Sequence, residues 1–250
     1  MNLPWKHAIV VGASRGIGAE IARRLVADGC RVALVARRED ELLRLKNELD
    51  TLAGREAAII APHDVLDRAA VPALFQDLAE RLGGVDVIFY TAGVMPKVAT
   101  DEYDTEKDAL MMEVNTVGAM AWLNEAARRF ARLGSGTIVG VSSITGDRGR
   151  TGNPAYCTSK AALDTYLEAL RNRITRFGAK VVTIKPGFVD TEMTQGLPGL
   201  FWLISADEAA RQIIAAARKG KIVAYVPARW GAVGLVIRNI PSFVFRRLNI

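Results

Sequence analysis

The stretch Gly12-Ala13-Ser14-Arg15-Gly16-Ile17-Gly18 decides the fold of this 250-residue chain. It follows the run His7-Ala8-Ile9-Val10-Val11, which predicts a buried strand, and it precedes Ile21, Ala22 and Leu25 on one helical face. Glycines are required where a turn is tight, where backbone approaches a phosphate and where helix and strand pack closely. The N-terminus of the following helix points its amides at such a phosphate. The stretch therefore predicts a strand–turn–helix unit that binds a dinucleotide.

A second group of residues carries proton-transfer chemistry. Tyr156 and Lys160 are four residues apart, so they share one face of a helix, and Ser143 lies thirteen residues before Tyr156. A phenol ionises near a pKa of about 10, which is too high for efficient proton transfer at neutral pH. An adjacent ammonium favours the phenolate, so we expect Lys160 to lower the pKa of Tyr156. With the Ser143 hydroxyl holding a carbonyl oxygen, this set predicts reduction of a ketone or oxidation of an alcohol.

Each of these three residues also has an ordinary structural interpretation. Ser143 is compatible with a turn cap, Tyr156 with helix packing and Lys160 with a solvated helix charge. The joint spacing behind a glycine turn favours the catalytic interpretation over three separate coincidences.

The glycine spacing, the Ser–Tyr–Lys set and the chain length together resemble the short-chain dehydrogenase/reductase family, over nearly the whole chain. In that family an asparagine on a central helix completes a catalytic tetrad, and Asn115 in Glu113-Val114-Asn115-Thr116 occupies the matching place. The resemblance implies that Asn115 holds a water linking Lys160 to solvent. It also implies that Lys160 binds the ribose of the nicotinamide.

The same resemblance implies cofactor contacts in the turns at the strand ends. Asp64 and Val65 resemble the pair that contacts adenine, and Pro186-Gly187 resemble the segment that borders the nicotinamide. Together with the glycine turn and the arginines discussed below, the predicted contact residues are Gly12, Ser14, Arg15, Gly16, Ile17, Gly18, Arg37, Arg38, Asp64, Val65, Ala92, Gly93, Tyr156, Lys160, Pro186, Gly187, Val189 and Thr191. Two turns depart from the usual family pattern. Val11 replaces a common threonine, and Tyr90-Thr91-Ala92-Gly93 replaces Asn-Asn-Ala-Gly.

The residues after the second predicted strand indicate which cofactor binds. Chains that select NAD carry an acidic residue about 20 residues after the glycine turn, where it binds the ribose 2′-hydroxyl. Here Ala36 is followed by Arg37 and Arg38, without a carboxylate. Arg37 offers a planar fork that suits a 2′-phosphate, and Arg15 closes from the other side. Both Arg37 and Arg38 are also compatible with simple helix-surface charges. The pattern favours NADP(H).

Strands and helices alternate along the whole sequence. Further strands are predicted at residues 31–36, 57–61, 85–90, 137–141, 180–185 and 222–226. Helical periodicity covers residues 68–82 and 155–177, and Ser205 with Glu208 predicts a cap for a helix reaching Lys219. Because 50% of the residues are hydrophobic, both faces of a sheet can be buried. The sequence predicts one α/β domain over residues 1–250, a doubly wound parallel sheet (Rossmann fold) with helices on both faces.

Several features bear on location. The chain enters its first predicted strand by His7, which leaves no room for a signal peptide, and it has no apolar run of 18 residues. Cys30 and Cys157 lack disulfide or metal spacing, so we expect a reducing compartment, the cytoplasm, and no metal site. His7 and His63 are isolated and favour structural roles.

Charge is divided unequally along the chain. Residues 1–208 carry a formal charge of −2, whereas residues 209–250 contain eight basic residues and no acidic one. The basic residues are Arg211, Arg218, Lys219, Lys221, Arg229, Arg238, Arg246 and Arg247. The interleaved apolar residues are Trp230, Leu235, Val236, Ile237, Ile240, Phe243, Val244, Phe245 and Leu248. Residues from about 228 to 250 therefore form a basic apolar C-terminal extension.

This extension has two interpretations. A basic amphipathic segment with aromatic residues fits the headgroup region at the inner face of an anionic membrane. Subunit packing also explains its apolar residues, because the resemblance implies a homodimer or homotetramer built partly from the C-terminal segment. The one-sided charge favours a membrane surface or a lipid-bearing substrate. Nucleic acid is disfavoured because no nucleic-acid-binding motif accompanies the charge.

The tail also resembles the ending of decaprenylphosphoryl-2-keto-ribose reductases, which reduce a ketosugar carried on a polyprenyl phosphate. The sequence thus predicts an NADPH-dependent carbonyl reductase, and the tail favours a lipid-linked or hydrophobic substrate. Three alternatives stay open at this point. They are a reductase or alcohol dehydrogenase for soluble metabolites, a catalytically idle cofactor-binding scaffold, and a membrane-associated structural partner that depends on the tail alone.

Overall fold

A parallel sheet forms the centre of the chain in the computed structural model, which describes residues 4–197 and 199–248. Its strands are β1 (His7–Val11), β2 (Arg31–Ala36), β3 (Ala58–Pro62), β4 (Val87–Tyr90), β5 (Thr137–Val141), β6 (Lys180–Pro186) and β9 (Val223–Val226), while β7 (Val189–Asp190) and β8 (Ile204–Ser205) form a separate pair. The seven strands lie in the order β3-β2-β1-β4-β5-β6-β9, and all neighbours are parallel. The predicted doubly wound sheet is confirmed.

Helices cover both faces of the sheet, as a parallel sheet requires. They are α1 (Gly16–Ala27), α2 (Glu39–Ala53), α3 (Val71–Leu82), α4 (Thr105–Met112), α5 (Gly118–Leu133), α6 (Pro154–Ile174), α7 (Ala206–Arg218), α8 (Trp230–Asn239) and α9 (Ser242–Phe245). One core joins the sheet to α1, α2 and α7, and the other joins it to α3, α5 and α6. The buried strand residues alternate between these cores, which explains why the strand sequences are almost wholly apolar.

Element boundaries differ from the sequence prediction by a few residues. Helix α3 begins at Val71 rather than at residue 68, since Pro72 lies in its first turn. Before the helix, the Asp67 carboxylate accepts a hydrogen bond from the Ala70 nitrogen at 3.3 Å and closes a separate turn. Helix α6 ends at Ile174, where the chain tightens into a 3-10 turn over Thr175–Phe177. Ser205 caps α7 as predicted, accepting a hydrogen bond from the Glu208 nitrogen at 3.1 Å.

The strand order reverses beside β1, because β2 lies on one side of it and β4 on the other. In a doubly wound sheet the loops at the carboxyl ends of the strands diverge at such a point and leave a crevice. The glycine turn after β1 and the turn after β4 both border this crevice. The candidate site is therefore expected here.

The C-terminal segment leaves the sheet after β9 and forms α8 and α9. Helix α8 buries Trp230, Gly234 and Ile237 but exposes Leu235 and Val236. Within residues 4–197 and 199–248, none of the helices combines the length and apolar character needed to cross a membrane. The N-terminal residues 1–3 and the last two residues of the predicted extension lie outside the described residues.

Candidate functional site

The glycine turn after β1 packs directly against the turn after β4. Gly12 has a φ of +91°, and a Cβ on it would lie 2.5 Å from the Ala92 nitrogen. A Cβ on Gly18 would lie 2.2 Å from the Gly12 carbonyl oxygen. The Thr91 hydroxyl donates to the carbonyls of Val11 at 2.8 Å and Gly12 at 3.2 Å. Glycine is required at both positions, and Thr91 makes a specific contact in a turn whose sequence departs from the family pattern.

Tyr90, the other unusual residue of this turn, anchors the helix that carries Asn115. Its side chain is fully buried, and its phenol donates to the Val114 carbonyl at 2.8 Å. Burial raises the pKa of Tyr90 far above its ordinary value, so this phenol stays protonated and acts as a donor. Tyr90 therefore has a structural role next to the site.

The start of α1 has the form of a phosphate-binding helix N-terminus. Gly16 opens the helix with a φ of +55°, and Arg15 before it is extended and gives no side-chain cap. The first amides of α1 are thus left without a capping side chain. A Cβ on Gly16 would lie 3.1 Å from Cγ2 of Thr191, so the segment after β6 borders the turn. These groups fit the pyrophosphate of a nicotinamide dinucleotide.

Three arginines lie around the ends of β1 and β2, where the sequence predicts the 2′-phosphate. The Arg37 side chain is 63% exposed, and its Nη1 lies 3.8 Å from Oδ2 of Asp64. Arg38 donates from Nη2 to Oγ of Ser14 at 3.2 Å, which ties it to the glycine turn. Since Arg15 belongs to the same turn, the structure brings the predicted arginines to one edge of the crevice.

A carboxylate that sequence analysis missed lies between two of these arginines. Glu192 forms a close ion pair with Arg15, and its Oε2 lies 3.9 Å from Nη1 of Arg38. Glu41 also pairs with Arg15, at 3.1 Å. Glu192 follows β7 far along the chain, so local spacing gave no signal for this contact. An anionic cofactor group that binds these arginines must compete with Glu192.

The remaining predicted adenine contacts lie at the end of β3. Asp64 accepts a hydrogen bond from the Leu66 nitrogen at 3.0 Å, which fixes its turn. Val65 is buried, and its Cβ lies 3.1 Å from where a Cβ on Gly118 would be. Ile17 packs partly buried against the core beneath the glycine turn. Asp64 and Val65 thus lie on the loop that follows β3, on the Arg37 side of the crevice.

Asn115 is held in a π-helical turn, Glu113–Val117, between α4 and α5. Its side chain is fully buried: Oδ1 accepts from the Val94 nitrogen at 2.7 Å, and Nδ2 donates to the Val94 carbonyl and to Oγ of Ser159, both at 3.0 Å. Both amide donors are therefore used within the protein. The side chain of Asn115 fixes the loop after β4 against α6, and this leaves at most its backbone and one Oδ1 lone pair for the implied water.

Tyr156 and Lys160 lie on the buried face of α6, as their spacing predicts. The Lys160 Nζ lies 5.7 Å from the centre of the Tyr156 ring and donates to the Val141 carbonyl at 3.1 Å. A Cβ on Gly93 would lie 3.3 Å from Oδ1 of Asn115 and 3.5 Å from the Lys160 Nζ. Gly93 therefore borders both residues, and the structure brings three predicted tetrad members to one place.

Ser143 completes the group at the end of β5. It begins the turn Ile144–Asp147, accepts from the Thr145 nitrogen at 3.2 Å and hydrogen-bonds with Tyr156. Asn153, which sequence analysis missed, caps α6 by accepting from the Tyr156 nitrogen at 3.0 Å. An asparagine just before a proline at the start of a helix is a recognisable cap signal, so its role was accessible from the sequence.

The ionisation of Tyr156 differs from the sequence-based expectation. Burial raises the pKa of Tyr156 to about 12, although the hydrogen bond with Ser143 opposes the rise. Burial also lowers the pKa of Lys160 to about 8, and Asp164 opposes that change. The net fall in the phenol pKa that the sequence led us to expect does not occur in the chain alone, because desolvation raises the pKa. A phenol that stays protonated at neutral pH suits a proton donor.

The segment after β6 covers this group from the other side. Met193 brings its Sδ to 3.9 Å from the Tyr156 hydroxyl, and Thr191 lies over the glycine turn. The Thr191 nitrogen donates to Oγ1 of Thr194 at 3.2 Å, so the segment has a defined turn. Val189 is buried in the core and anchors the segment. A substrate oxygen that reaches Tyr156 must displace Met193.

The C-terminal segment meets the site at Pro186-Gly187. A Cβ on Gly187 would lie 2.0 Å from Nε1 of Trp230, and the Gly187 nitrogen donates to the Val226 carbonyl at 2.9 Å. Trp230 is 2% exposed, and its Nε1 makes no hydrogen bond within the described part of the chain. The first residue of α8 thus packs on the segment expected to border the nicotinamide, a contact that local sequence patterns do not reveal.

An aromatic cluster lines the outer side of this contact. Phe188, Phe201 and Trp202 surround Trp230 with ring centroids 5.1–5.5 Å from its own. Phe201 and Trp202 are 51% and 44% exposed, and the guanidinium of Arg229 lies 4.9 Å from the centre of the Trp202 ring. The cluster presents apolar surface beside the candidate site.

Comparison with known proteins gives a consistent match. The family described as short chain dehydrogenase matches residues 6–198. An uncharacterized oxidoreductase of Mycobacterium tuberculosis is 31% identical over 96% of this chain and 95% of its own length. A second, from Staphylococcus epidermidis, is 30% identical over 76% of this chain and 81% of its own length. The region after residue 198, with the basic tail, lies beyond the family match.

Solved structures share both fold and sequence. A variant of actinorhodin polyketide ketoreductase with NADPH has a TM-score of 0.78 and 28% identity, covering 88% of this chain and 94% of that one. A short-chain type dehydrogenase/reductase from Mycobacterium marinum has a TM-score of 0.79 and 26% identity, covering 86% and 89%.

Proposed function

Because the chain belongs to the short-chain dehydrogenase family, we propose that it is an NADP(H)-dependent oxidoreductase that reduces a ketone to a secondary alcohol. The family uses a nicotinamide cofactor and acts on C–OH and C=O groups. The observation that carries the proposal is the meeting of Ser143, Tyr156 and Lys160 beside a glycine turn that fits a dinucleotide.

Each member of the group has a distinct role in this proposal. When bound, the cofactor supplies the hydride that reduces the carbonyl carbon. Ser143 orients the carbonyl oxygen, and Tyr156, whose buried phenol has a raised pKa and holds its proton at neutral pH, donates that proton to the oxygen as the hydride arrives. Lys160 binds the nicotinamide ribose and returns a proton to Tyr156. Asn115 positions the loop after β4 and, through its backbone, the water of the proton relay.

The arginines support the preference for NADP(H) over NAD(H). Arg37 has 63% of its side chain exposed, so it is available to a 2′-phosphate, and Arg15 and Arg38 lie on the facing glycine-turn side. Asp64 is the carboxylate that would compete with the phosphate for Arg37. Its Oδ2 lies 3.8 Å from Nη1 of Arg37. At that distance an exposed pair is weak. The ion pair between Arg37 and a 2′-phosphate is therefore stronger than the pair between Arg37 and Asp64 that it replaces.

The proposed substrate is a hydrophobic carbonyl compound and, more narrowly, one that is linked to a lipid. The exposed rings of Phe201 and Trp202 offer apolar contact around Trp230, which packs on Gly187. The tail adds exposed apolar residues, and the chain after Glu208 carries eight basic side chains and no acidic one, four of the eight in the tail itself. Such a surface fits the inner face of an anionic membrane. Its resemblance to lipid-linked ketosugar reductases supports the same substrate class.

We also propose a homodimer or homotetramer in the cytoplasm. Both cysteines, Cys30 and Cys157, are free and buried in the structure, as suits a reducing compartment. The exposed apolar residues of α8 and α9 are available to a second subunit as well as to lipid. The two uses of this surface give different results in the experiment that follows.

NADPH oxidation against a panel of carbonyl compounds tests the proposal. The panel includes small soluble ketones, ketoacyl thioesters and lipid-linked ketosugars, each with and without anionic vesicles. Turnover confined to lipid-bearing substrates, or raised by vesicles, supports a lipid-linked carbonyl compound as the substrate. Turnover of small ketones without vesicles at the same rate as that of the lipid-linked compounds indicates a general reductase. The tail would then serve subunit packing. Absence of NADPH- and NADH-dependent turnover with every compound contradicts the proposed reaction.

A further inference from the structure

A cavity of about 330 Å³ lies outside the catalytic group, between the loop that leads to α6 and the C-terminal segment. It is lined by Arg148, Gly149, Arg150, Thr151, Ser242, Phe245, Arg246 and Leu248. Three of these residues are arginines, two carry hydroxyl groups, and none is acidic. This combination is complementary to an oxyanion that carries an apolar group.

Arg150 lines the cavity with a partly buried guanidinium. Its Nε is inaccessible to solvent and makes no hydrogen bond within the described part of the chain, so this atom faces the protein and not the cavity. Burial lowers the pKa of Arg150, which the charges of Cys157 and Asp147 oppose, and the guanidinium stays protonated. A phosphate bound in the cavity would compensate part of this buried charge.

Arg148 builds the wall of the cavity. Its Nη1 donates to the carbonyls of Ile237, at 2.8 Å, and of Ile240, while its guanidinium lies 4.0 Å from the centre of the Phe245 ring. These contacts hold the end of α8 and the start of α9 against the loop. Arg148 therefore has a structural role, so Arg150 and the exposed Arg246 remain as the ligand-binding cations.

Within residues 4–197 and 199–248, no carboxylate lines the cavity. Asp147 is adjacent in sequence, but its side chain is 1% exposed and already binds Lys185 at 2.5 Å and the Tyr225 hydroxyl at 2.8 Å. The sequence after Glu208 contains no acidic side chain. The resulting field attracts anions to this part of the surface.

Apolar side chains continue from the cavity along the C-terminal segment. Phe245 and Leu248 line it, and Phe243 and Val244 next to them are 61% and 37% exposed. The polar lining and this apolar surface adjoin. A ligand that uses both has a charged phosphate and a hydrocarbon part.

We propose that this cavity binds the phosphate group of an amphipathic phosphate ester, with Arg150 and Arg246 as its cationic ligands. If the ester is the substrate of the enzyme, this inference rests on the proposed function. The loop with Arg148–Thr151 directly joins the Ser143 turn to the helix of Tyr156, so the cavity adjoins the candidate site. The phosphate belongs either to a phosphorylated substrate or to a phospholipid headgroup, and the two sources are separable by experiment.

The test compares wild type with Arg150→Gln, Arg246→Gln and the control Arg247→Gln. Arg247 carries the same charge in the same exposed segment but does not line the cavity. Two probes are titrated without NADPH: farnesyl phosphate below its micelle concentration, and phosphatidylcholine vesicles with and without phosphatidylglycerol. Calorimetry and co-sedimentation give the affinities. Because neither measurement needs turnover, failure here is distinguishable from failure of the proposed reductase activity.

We expect saturable binding that weakens by roughly tenfold in Arg150→Gln and in Arg246→Gln, as for loss of a charge-assisted hydrogen bond, and by less than about twofold in Arg247→Gln. Binding of farnesyl phosphate alone assigns a phosphorylated substrate, and binding of anionic vesicles alone assigns a lipid headgroup. Equal losses in all three variants would show diffuse charge attraction and overturn the proposal. Absence of saturable binding to either probe overturns it as well.

Discussion

Replacement of Lys160 by methionine should stabilise the folded chain at neutral pH while it removes catalysis. Lys160 is 4% exposed, and burial lowers its pKa from 10.5 to about 8. The folded chain therefore binds this proton less tightly than the unfolded chain, so the charge destabilises the fold below pH 8. The pKa difference corresponds to about 3 kcal/mol at pH 7. Loss of the hydrogen bond to the Val141 carbonyl costs about 1 kcal/mol, so we expect a net gain of about 2 kcal/mol.

The pH dependence of this effect isolates its cause. As the pH rises from about 8 toward 10.5, the folded wild type loses the Lys160 proton first and becomes more stable relative to the variant. The free energy of unfolding of Lys160→Met minus that of wild type should therefore fall by about 2 kcal/mol between pH 7 and pH 9.5. Urea unfolding followed by tryptophan fluorescence measures it, with Lys221→Met at an exposed position as the control. A difference that does not change with pH refutes the assigned burial cost.

Three further substitutions test separate parts of the account. Arg37→Ala should raise the Kd of NADPH by roughly tenfold while NADH is little affected, since only NADPH carries the 2′-phosphate; an unchanged ratio of affinities rejects that role. Glu192→Gln should tighten NADPH binding severalfold, because it removes a carboxylate that competes for the same arginines; weaker binding in titration would contradict this competition. Lys185→Met should lower the free energy of unfolding by about 3–5 kcal/mol at pH 7, because it leaves the carboxylates of Asp147 and Asp164 buried without their cation. That loss should shrink as the pH falls and Asp164, whose pKa burial raises, takes up a proton; a loss below 1 kcal/mol in urea unfolding counts against a paired network.

The sequence was sufficient to predict the sheet and the shared helix face of Tyr156 and Lys160. Strand periodicity and the glycine turn are local signals, and β1, β5 and the spacing of Tyr156 and Lys160 appear in the structure as predicted. Helix boundaries were less accurate, because a proline inside the first turn and a 3-10 turn at the end moved them by a few residues.

Features that depend on tertiary contacts were not accessible from the sequence. Spacing showed that Lys160 shares a helix face with Tyr156, but not that burial raises the phenol pKa. The pairing of Glu192 with Arg15 joins residues 177 positions apart. The contact of Trp230 with Gly187 likewise joins the C-terminal helix to the site and needs the folded chain to be seen.

The most direct test of the central claim is NADPH oxidation by wild type and Tyr156→Phe with a carbonyl substrate identified from the panel. Phenylalanine keeps the buried ring but lacks the acidic hydroxyl. We predict that turnover falls by roughly a hundredfold or more, while the Kd of NADPH stays within about twofold of wild type. Turnover by Tyr156→Phe at the wild-type rate would contradict the assignment of Tyr156 as the proton donor.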